Sequence, residues 1–102
     1  MIAEVDIPFL EEFKDDMLRD QKVCTSRTQL YGTNGDTFKT FGAEFRIVCS
    51  VRLPLSVIAE CLYGQEGFLN PQGFKDTWVK LHPRKGYIPD WIVYVHFFTR
   101  IR

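Results

Sequence analysis

From Trp91 to Phe98 nearly every residue is apolar, and His96 is the one polar interruption. A strand apolar on successive positions must be covered on both faces, either in the middle of a sheet or in the wall of a barrel. The run is far too short to cross a membrane as a helix. It therefore predicts a last strand, Trp91 to Arg102, that is central to the fold. The rest of the chain must supply its neighbours and its covers.

Those neighbours can be read upstream. Val23 to Arg27 forms a short strand. The loop Leu30 to Asp36 carries Tyr-Gly-Thr-Asn-Gly-Asp turn chemistry. Thr37 to Thr40 follows as a strand, with Phe41-Gly42-Ala43 as a tight connection. From Phe45 to Leu53 the alternation predicts Phe45, Ile47, Cys49 and Val51 on one face and Arg46, Ser50 and Arg52 on the other, with Pro54 ending the strand.

Three helices are expected as covers. Phe9, Phe13 and Met17 recur every fourth residue, which predicts an amphipathic helix over Ile7 to Asp20, capped by Asp6 with Pro8 in its first turn. Its polar face is mostly acidic, which argues against a membrane surface. Leu55 to Tyr63 predicts a second helix with Val57, Ile58, Cys61 and Leu62 inward, broken by Gly64-Gln65-Glu66-Gly67. Asn70 caps a third, with Pro71 at its first position and Phe74, Trp78 and Leu81 as its buried stripe. His82-Pro83-Arg84-Lys85-Gly86 stops it. Hairpins with few helices give an α+β fold on a small curved sheet or barrel.

The chain's 102 residues, 45% apolar and 15% aromatic, suit one well-filled core and a single domain over 1–102. Thirteen basic and thirteen acidic side chains cancel, so no broad electrostatic grip on a polyanion is expected. Any nucleic-acid contact has to come from a local patch or a shaped pocket. Cys24, Cys49 and Cys61 are odd in number and far apart, and they read as buried, reduced thiols. A zinc site would need more ligands than these and the two histidines, His82 and His96, provide. No metal or cofactor is expected, and no Gly-rich phosphate loop occurs. Met1 to Phe9 is interrupted by Glu4 and Asp6 and does not read as a secretory signal, so a cytoplasmic protein is expected.

One segment carries candidate chemistry. In Lys22-Val23-Cys24-Thr25-Ser26-Arg27, strand geometry puts Thr25 and Arg27 on the same face. Lys22, at the junction with the first helix, is expected on the rim of the same site. By composition alone these residues describe a solvated strand edge, and Gln65-Glu66 an exposed loop.

The segment Lys22-x-x-Thr25-x-Arg27 resembles the ASCH-domain signature Gly-x-Lys-x-x-Thr-x-Arg. The resemblance extends to Phe9, Phe13, Asp15 and Asp16 in the preceding helix, to the Gly35-Asp36 turn, to Gln65-Glu66, and to Tyr94-Val95-x-Phe97 in the closing strand. One departure is visible: Asp20 stands where the signature has glycine, and Asp tolerates the left-handed turn a glycine would serve there better than most residues do. The resemblance implies a PUA-like small mixed β-barrel with flanking helices and a pocket that binds RNA or a modified nucleoside.

Short members of that family include amidohydrolases that deacetylate N4-acetylcytidine. On this sequence their catalytic lysine, threonine and glutamate fall on Lys22, Thr25 and Glu66. A desolvated lysine can take the threonine's proton and, once charged, stabilise a tetrahedral intermediate, while the glutamate delivers a proton to the leaving amine. Arg27 would orient the substrate. Two functions follow from the resemblance. One is an RNA-binding module in which Lys22, Arg27, Arg84 and Lys85 meet phosphates and Tyr31 or Tyr94 stacks on a base. The other is a small hydrolase using the Lys22, Thr25 and Glu66 triad.

Overall fold

The computed structural model describes residues 2–102. Four strands, β1 (Cys24–Arg27), β2 (Thr37–Thr40), β3 (Ala43–Pro54) and β4 (Ile92–Arg100), form one antiparallel sheet in the order β1-β4-β3-β2. β4 is interior, as its two apolar faces require. The sheet curls into a half-barrel; among the described residues no ladder joins β1 to β2. Its helices are α1 (Lys14–Leu18), α2 (Leu55–Cys61) and α3 (Pro71–Leu81).

The two faces of β4 build two cores. Val93 and Val95 join Cys24, Leu55, Ile58, Ala59, Phe74 and Trp78 beneath α2 and α3. Phe98 joins Ile7, Met17, Phe38, Ala43, Phe45 and Ile47. β3 serves both because its register with β4 slips between Ile47 and Cys49. Before the slip Ile47 lies opposite Phe98; after it Leu53 lies opposite Val93 and packs on the other core. One inserted residue shifts every later side chain to the opposite face. The continuous alternation expected over Phe45 to Val51 is therefore corrected: Phe45 and Ile47 are buried, Cys49 is half-buried and Val51 is exposed.

The N-terminal helix is also shorter than its four-residue periodicity implies. Residues 3–10 run without helix, a 3-10 turn covers Glu11–Phe13, and only Lys14–Leu18 is α-helical. Two contacts hold the lead-in open. Val5 N donates to Thr37 O at 2.7 Å, pinning the chain beside β2, and Arg27 Nη2 donates to Pro8 O at 2.6 Å, taking a carbonyl that a helix would use. Asp6 therefore caps nothing, and Phe9 reaches the core as part of an extended segment, stacked on Phe38 with centroids 5.6 Å apart.

α3 begins as expected: Asn70 Oδ1 accepts the Gly73 N–H at 2.9 Å and Pro71 opens the first turn. Phe74 and Trp78 are buried, but Leu81 is exposed; in α2, Ile58 is buried while Val57 and Cys61 are exposed. A short helix over a curved sheet buries only the stripe that points at it, so the outer members of each apolar set stay outside. The three thiols are free, and of these only Cys24 is buried. Burial pushes its thiol well above the ordinary range, with the Glu66 carboxylate adding to the effect, so it is a packed neutral group. No described helix is long and apolar enough to cross a membrane.

Candidate functional site

Between the N-terminal segment, β1 and α3 lies a cavity of about 340 Å³. Its walls include the rings of Phe9, Phe13, Phe68, Phe74 and Trp78, and Lys22, Thr25, Ser26, Arg27 and Glu66 supply its polar groups. Four consecutive residues, Thr25 to Thr28, line it, so it runs along the edge of β1 and not over one face.

At its polar end Lys22 and Glu66 meet. Lys22 is 2% exposed and Glu66 3%, so neither stands on a rim as the sequence led us to expect for the lysine. Lys22 Nζ donates to Glu66 Oε1 at 3.2 Å, Glu66 O at 2.8 Å and Cys24 O at 2.9 Å. All three ammonium protons are used, and the charge also lies 4.5 Å from the centroid of the Phe13 ring. The second carboxylate oxygen, Oε2, accepts the Ser26 hydroxyl at 2.5 Å.

Local backbone geometry delivers both partners. After α1 the chain turns through Asp20 at φ 59°, the left-handed conformation that the signature's glycine would favour. Gln21 N and Lys22 N then donate to Asp16 O, which turns the lysine inward. From the other side, Val23 N and Cys24 N both donate to Gln65 O, docking the 64–67 loop on the start of β1. Gly67, at φ 101°, lets that loop close: a Cβ there would lie 3.3 Å from Lys22 Cβ.

Arg27 is fixed along β1. Its Nε donates to Thr25 Oγ1 at 3.1 Å, and its guanidinium lies 4.9 Å from the Phe9 ring centroid and 5.6 Å from that of Tyr31. Among the described residues it forms no salt bridge. Burial makes the charge harder to keep and draws its pKa down, an effect opposed by Tyr31 and Glu66. Since Lys22 and Glu66 neutralise each other, Arg27 is the cavity's uncompensated charge.

Behind this wall His96 is fully buried, and it ties the Tyr31 loop to the sheet. Tyr31 N donates to His96 Nε2 at 3.0 Å, so Nδ1 carries the ring proton and donates to Thr25 O at 3.2 Å. Burial holds its pKa below the ordinary histidine value.

Of the candidates named from sequence, Lys22, Thr25, Arg27, Tyr31 and Glu66 line one cavity, and Tyr94, Arg84 and Lys85 lie outside it. Tyr94 is covered by Arg52, whose guanidinium carbon is 5.8 Å from its ring centroid. Arg84 and Lys85 line a separate groove with His82, Pro83 and Trp91. Sequence reasoning passed over Ser26, because strand alternation placed it opposite Thr25. It read Trp78 only as a core residue and His82 only as a helix stop, and it did not single out Phe68. Trp78 is 4% exposed and its indole N–H has no partner among the described residues.

Chemically, the arrangement offers flat apolar walls, a fixed guanidinium, a threonine hydroxyl free to donate, and a carboxylate hydrogen-bonded to a serine. It does not pair Lys22 with Thr25, since the lysine's protons are all directed elsewhere.

The curled antiparallel sheet and its helical covers define a small α+β domain with a PUA-like fold. More particularly, the chain has the ASCH-domain fold. It superposes on an ASCH domain from Lactobacillus crispatus JV V101 with a TM-score of 0.74 and 11% identity, over 97% of this chain and 78% of that one. A DUF984-family protein from Enterococcus faecalis V583 matches with a TM-score of 0.64 and 15% identity, over 88% of this chain and 70% of that one. At these identities the likeness is one of fold. No protein-family model and no curated protein matches the sequence.

Proposed function

We propose that the chain binds a nucleobase, presented by a nucleoside or by an unpaired RNA nucleotide, in the cavity beside β1. The observation that carries this reading is the pairing of aromatic walls with Arg27, a cation that has no carboxylate partner among the described residues. Rings recognise the flat faces of a base, while the fixed guanidinium donors recognise its carbonyl edge. The volume, about 340 Å³, falls at the lower end of small-molecule sites, which span about 300–1,000 Å³. A ligand acceptor reaching the Trp78 indole N–H would satisfy a buried donor whose isolation costs about 1–3 kcal/mol. RNA or nucleoside binding is also what the resemblance of the Lys22-x-x-Thr25-x-Arg27 segment implies.

Calorimetric titration with cytidine, uridine, adenosine and guanosine tests the reading. At least one is expected to bind, and Arg27→Gln is expected to weaken it about tenfold through the loss of a charge-assisted hydrogen bond. Binding unaltered in the variant, or no binding of any nucleoside, would reject it.

A hydrolytic reading is supported by one further feature, the hydrogen bond from Ser26 to Glu66, through which the carboxylate would exchange a proton with a hydroxyl. Hydrolysis of N4-acetylcytidine by water yields cytidine and acetate. Cytidine release that disappears in Thr25→Val, a variant close to isosteric, would favour an amidohydrolase over a binding module.

A further inference from the structure

Ser26 lines the cavity with its hydroxyl proton already engaged. It is buried, as is Thr25, and both share the cavity wall with Arg27. Ser26 Oγ donates to Glu66 Oε2, and a hydroxyl has a single proton to give. The carboxylate, paired with Lys22, can only accept. Turning the serine proton toward a ligand would leave a buried carboxylate oxygen without its donor. Toward the cavity Ser26 therefore offers lone pairs alone.

Its neighbours in the strand have the opposite polarity. Thr25 Oγ1 accepts from Arg27 Nε at 3.1 Å, and the threonine's own proton has no acceptor among the described residues. Arg27 also donates to Pro8 O, and its remaining N–H groups have no partner among the described residues. A guanidinium cannot accept a hydrogen bond. Lys22 adds nothing to this row, because Cys24 O, Glu66 O and Glu66 Oε1 take its protons. Three successive residues of β1, Thr25, Ser26 and Arg27, thus bring a donor, an acceptor and a donor to one cavity.

We infer that the cavity selects an imide base of the uracil type, in which one N–H stands between two carbonyl groups, a choice that rests on a nucleobase occupying the cavity. The imide N–H donates to Ser26 Oγ, and the flanking carbonyls accept from Thr25 and Arg27. Cytosine fails at the middle position, where its ring nitrogen carries a lone pair that meets the lone pairs of Ser26. The serine cannot adapt, because its proton is held by Glu66. Cytosine's amino group, standing where uracil has a carbonyl, also sets a donor against a donor. Ser26 is then a specificity-determining residue as well as a hydrogen-bond partner of Glu66.

Calorimetric titration of the full chain with uridine, cytidine, adenosine, guanosine and 3-methyluridine tests it. Methylation of the imide nitrogen removes its proton and leaves both carbonyls in place. Uridine is expected to bind about ten- to a hundredfold tighter than cytidine or 3-methyluridine, the scale of one buried polar group left unpaired. The dinucleoside monophosphates UpU and CpC extend the comparison to a strand, and UpU is expected to lead by a similar factor. The tighter of uridine and UpU names the source of the base. In Ser26→Ala the acceptor is gone, and uridine's lead over 3-methyluridine is expected to shrink to about twofold or less. The ligand series on the native chain decides the question even if that variant does not fold. Uridine binding no tighter than cytidine, adenosine or 3-methyluridine, or a lead that survives in Ser26→Ala, overturns the imide assignment alone. No binding by any of these ligands overturns the nucleobase reading with it.

Discussion

Lys22 and Glu66, separated by 44 residues in sequence, form a buried ion pair in which one ammonium reaches both the carboxylate and the backbone carbonyl of the same glutamate. Two charges withdrawn from water have to satisfy each other, and removing one strands its partner. Lys22→Met and Glu66→Gln are each expected to destabilise the domain by about 3–5 kcal/mol in urea unfolding, with the double variant costing less than the sum. A single substitution costing under about 1 kcal/mol would show that the pair is not desolvated as described.

Asp20 carries a testable backbone strain. Its φ of 59° is open to Asp at a modest penalty and to β-branched residues at a severe one. Asp20→Gly is expected to leave stability unchanged or raise it by up to about 1 kcal/mol, and Asp20→Val to lower it by about 1–2 kcal/mol. Equal stability of the glycine and valine variants in thermal unfolding would contradict the left-handed turn that aims Lys22 inward.

The sequence was most legible where a local rule met no tertiary competitor. Asn70-Pro71 opened a helix, Phe41-Gly42 turned a hairpin, and the apolar run after Trp91 had to be an interior strand. It misled where tertiary contacts reused a local signal. Phe9, Phe13 and Met17 keep helical spacing, yet the Arg27 contact to Pro8 O and the strand-like pairing at Val5 keep the chain open before Leu10. The register slip after Ile47 was invisible because Val48 and Cys49 are both apolar, so alternation looked unbroken while its phase reversed. In the site, the signature spacing located Lys22, Thr25 and Arg27. No local rule reveals that a loop glutamate 44 residues away is buried against the lysine, or that Ser26 completes its hydrogen bonds.

Phe38 and Phe13 should respond differently to truncation. Phe38 is fully buried and packs against Phe9, Phe45 and Phe98 with centroids 5.3–5.6 Å apart. Phe13 is half-buried on the cavity wall, edge-on to Phe68. Phe38→Ala is expected to cost about 3–5 kcal/mol by leaving a cavity, and Phe13→Ala clearly less. The reverse order in chemical denaturation would mean that the second core is not centred on Phe38.

His96 sets the dependence of stability on mildly acidic pH. Burial, reinforced by the nearby Arg27 charge, holds its folded pKa below the ordinary value of 6.5, while Glu66 and the Thr25 carbonyl act in the other direction. Protonation would also place a second donor at Nε2 against the Tyr31 N–H. The sign follows from which state takes the proton first. Well above pH 6.5 the ring is neutral in both states and contributes no slope. As the pH falls below 6.5 the unfolded chain is protonated first, so stability declines until the folded ring also titrates. Urea midpoints measured from pH 7.5 down to pH 5.5 should therefore fall for the native protein, and His96→Gln, though less stable overall, should show a flatter profile. Parallel profiles would remove His96 as the source of the slope and with it the claim that the Tyr31 loop is held by a neutral imidazole.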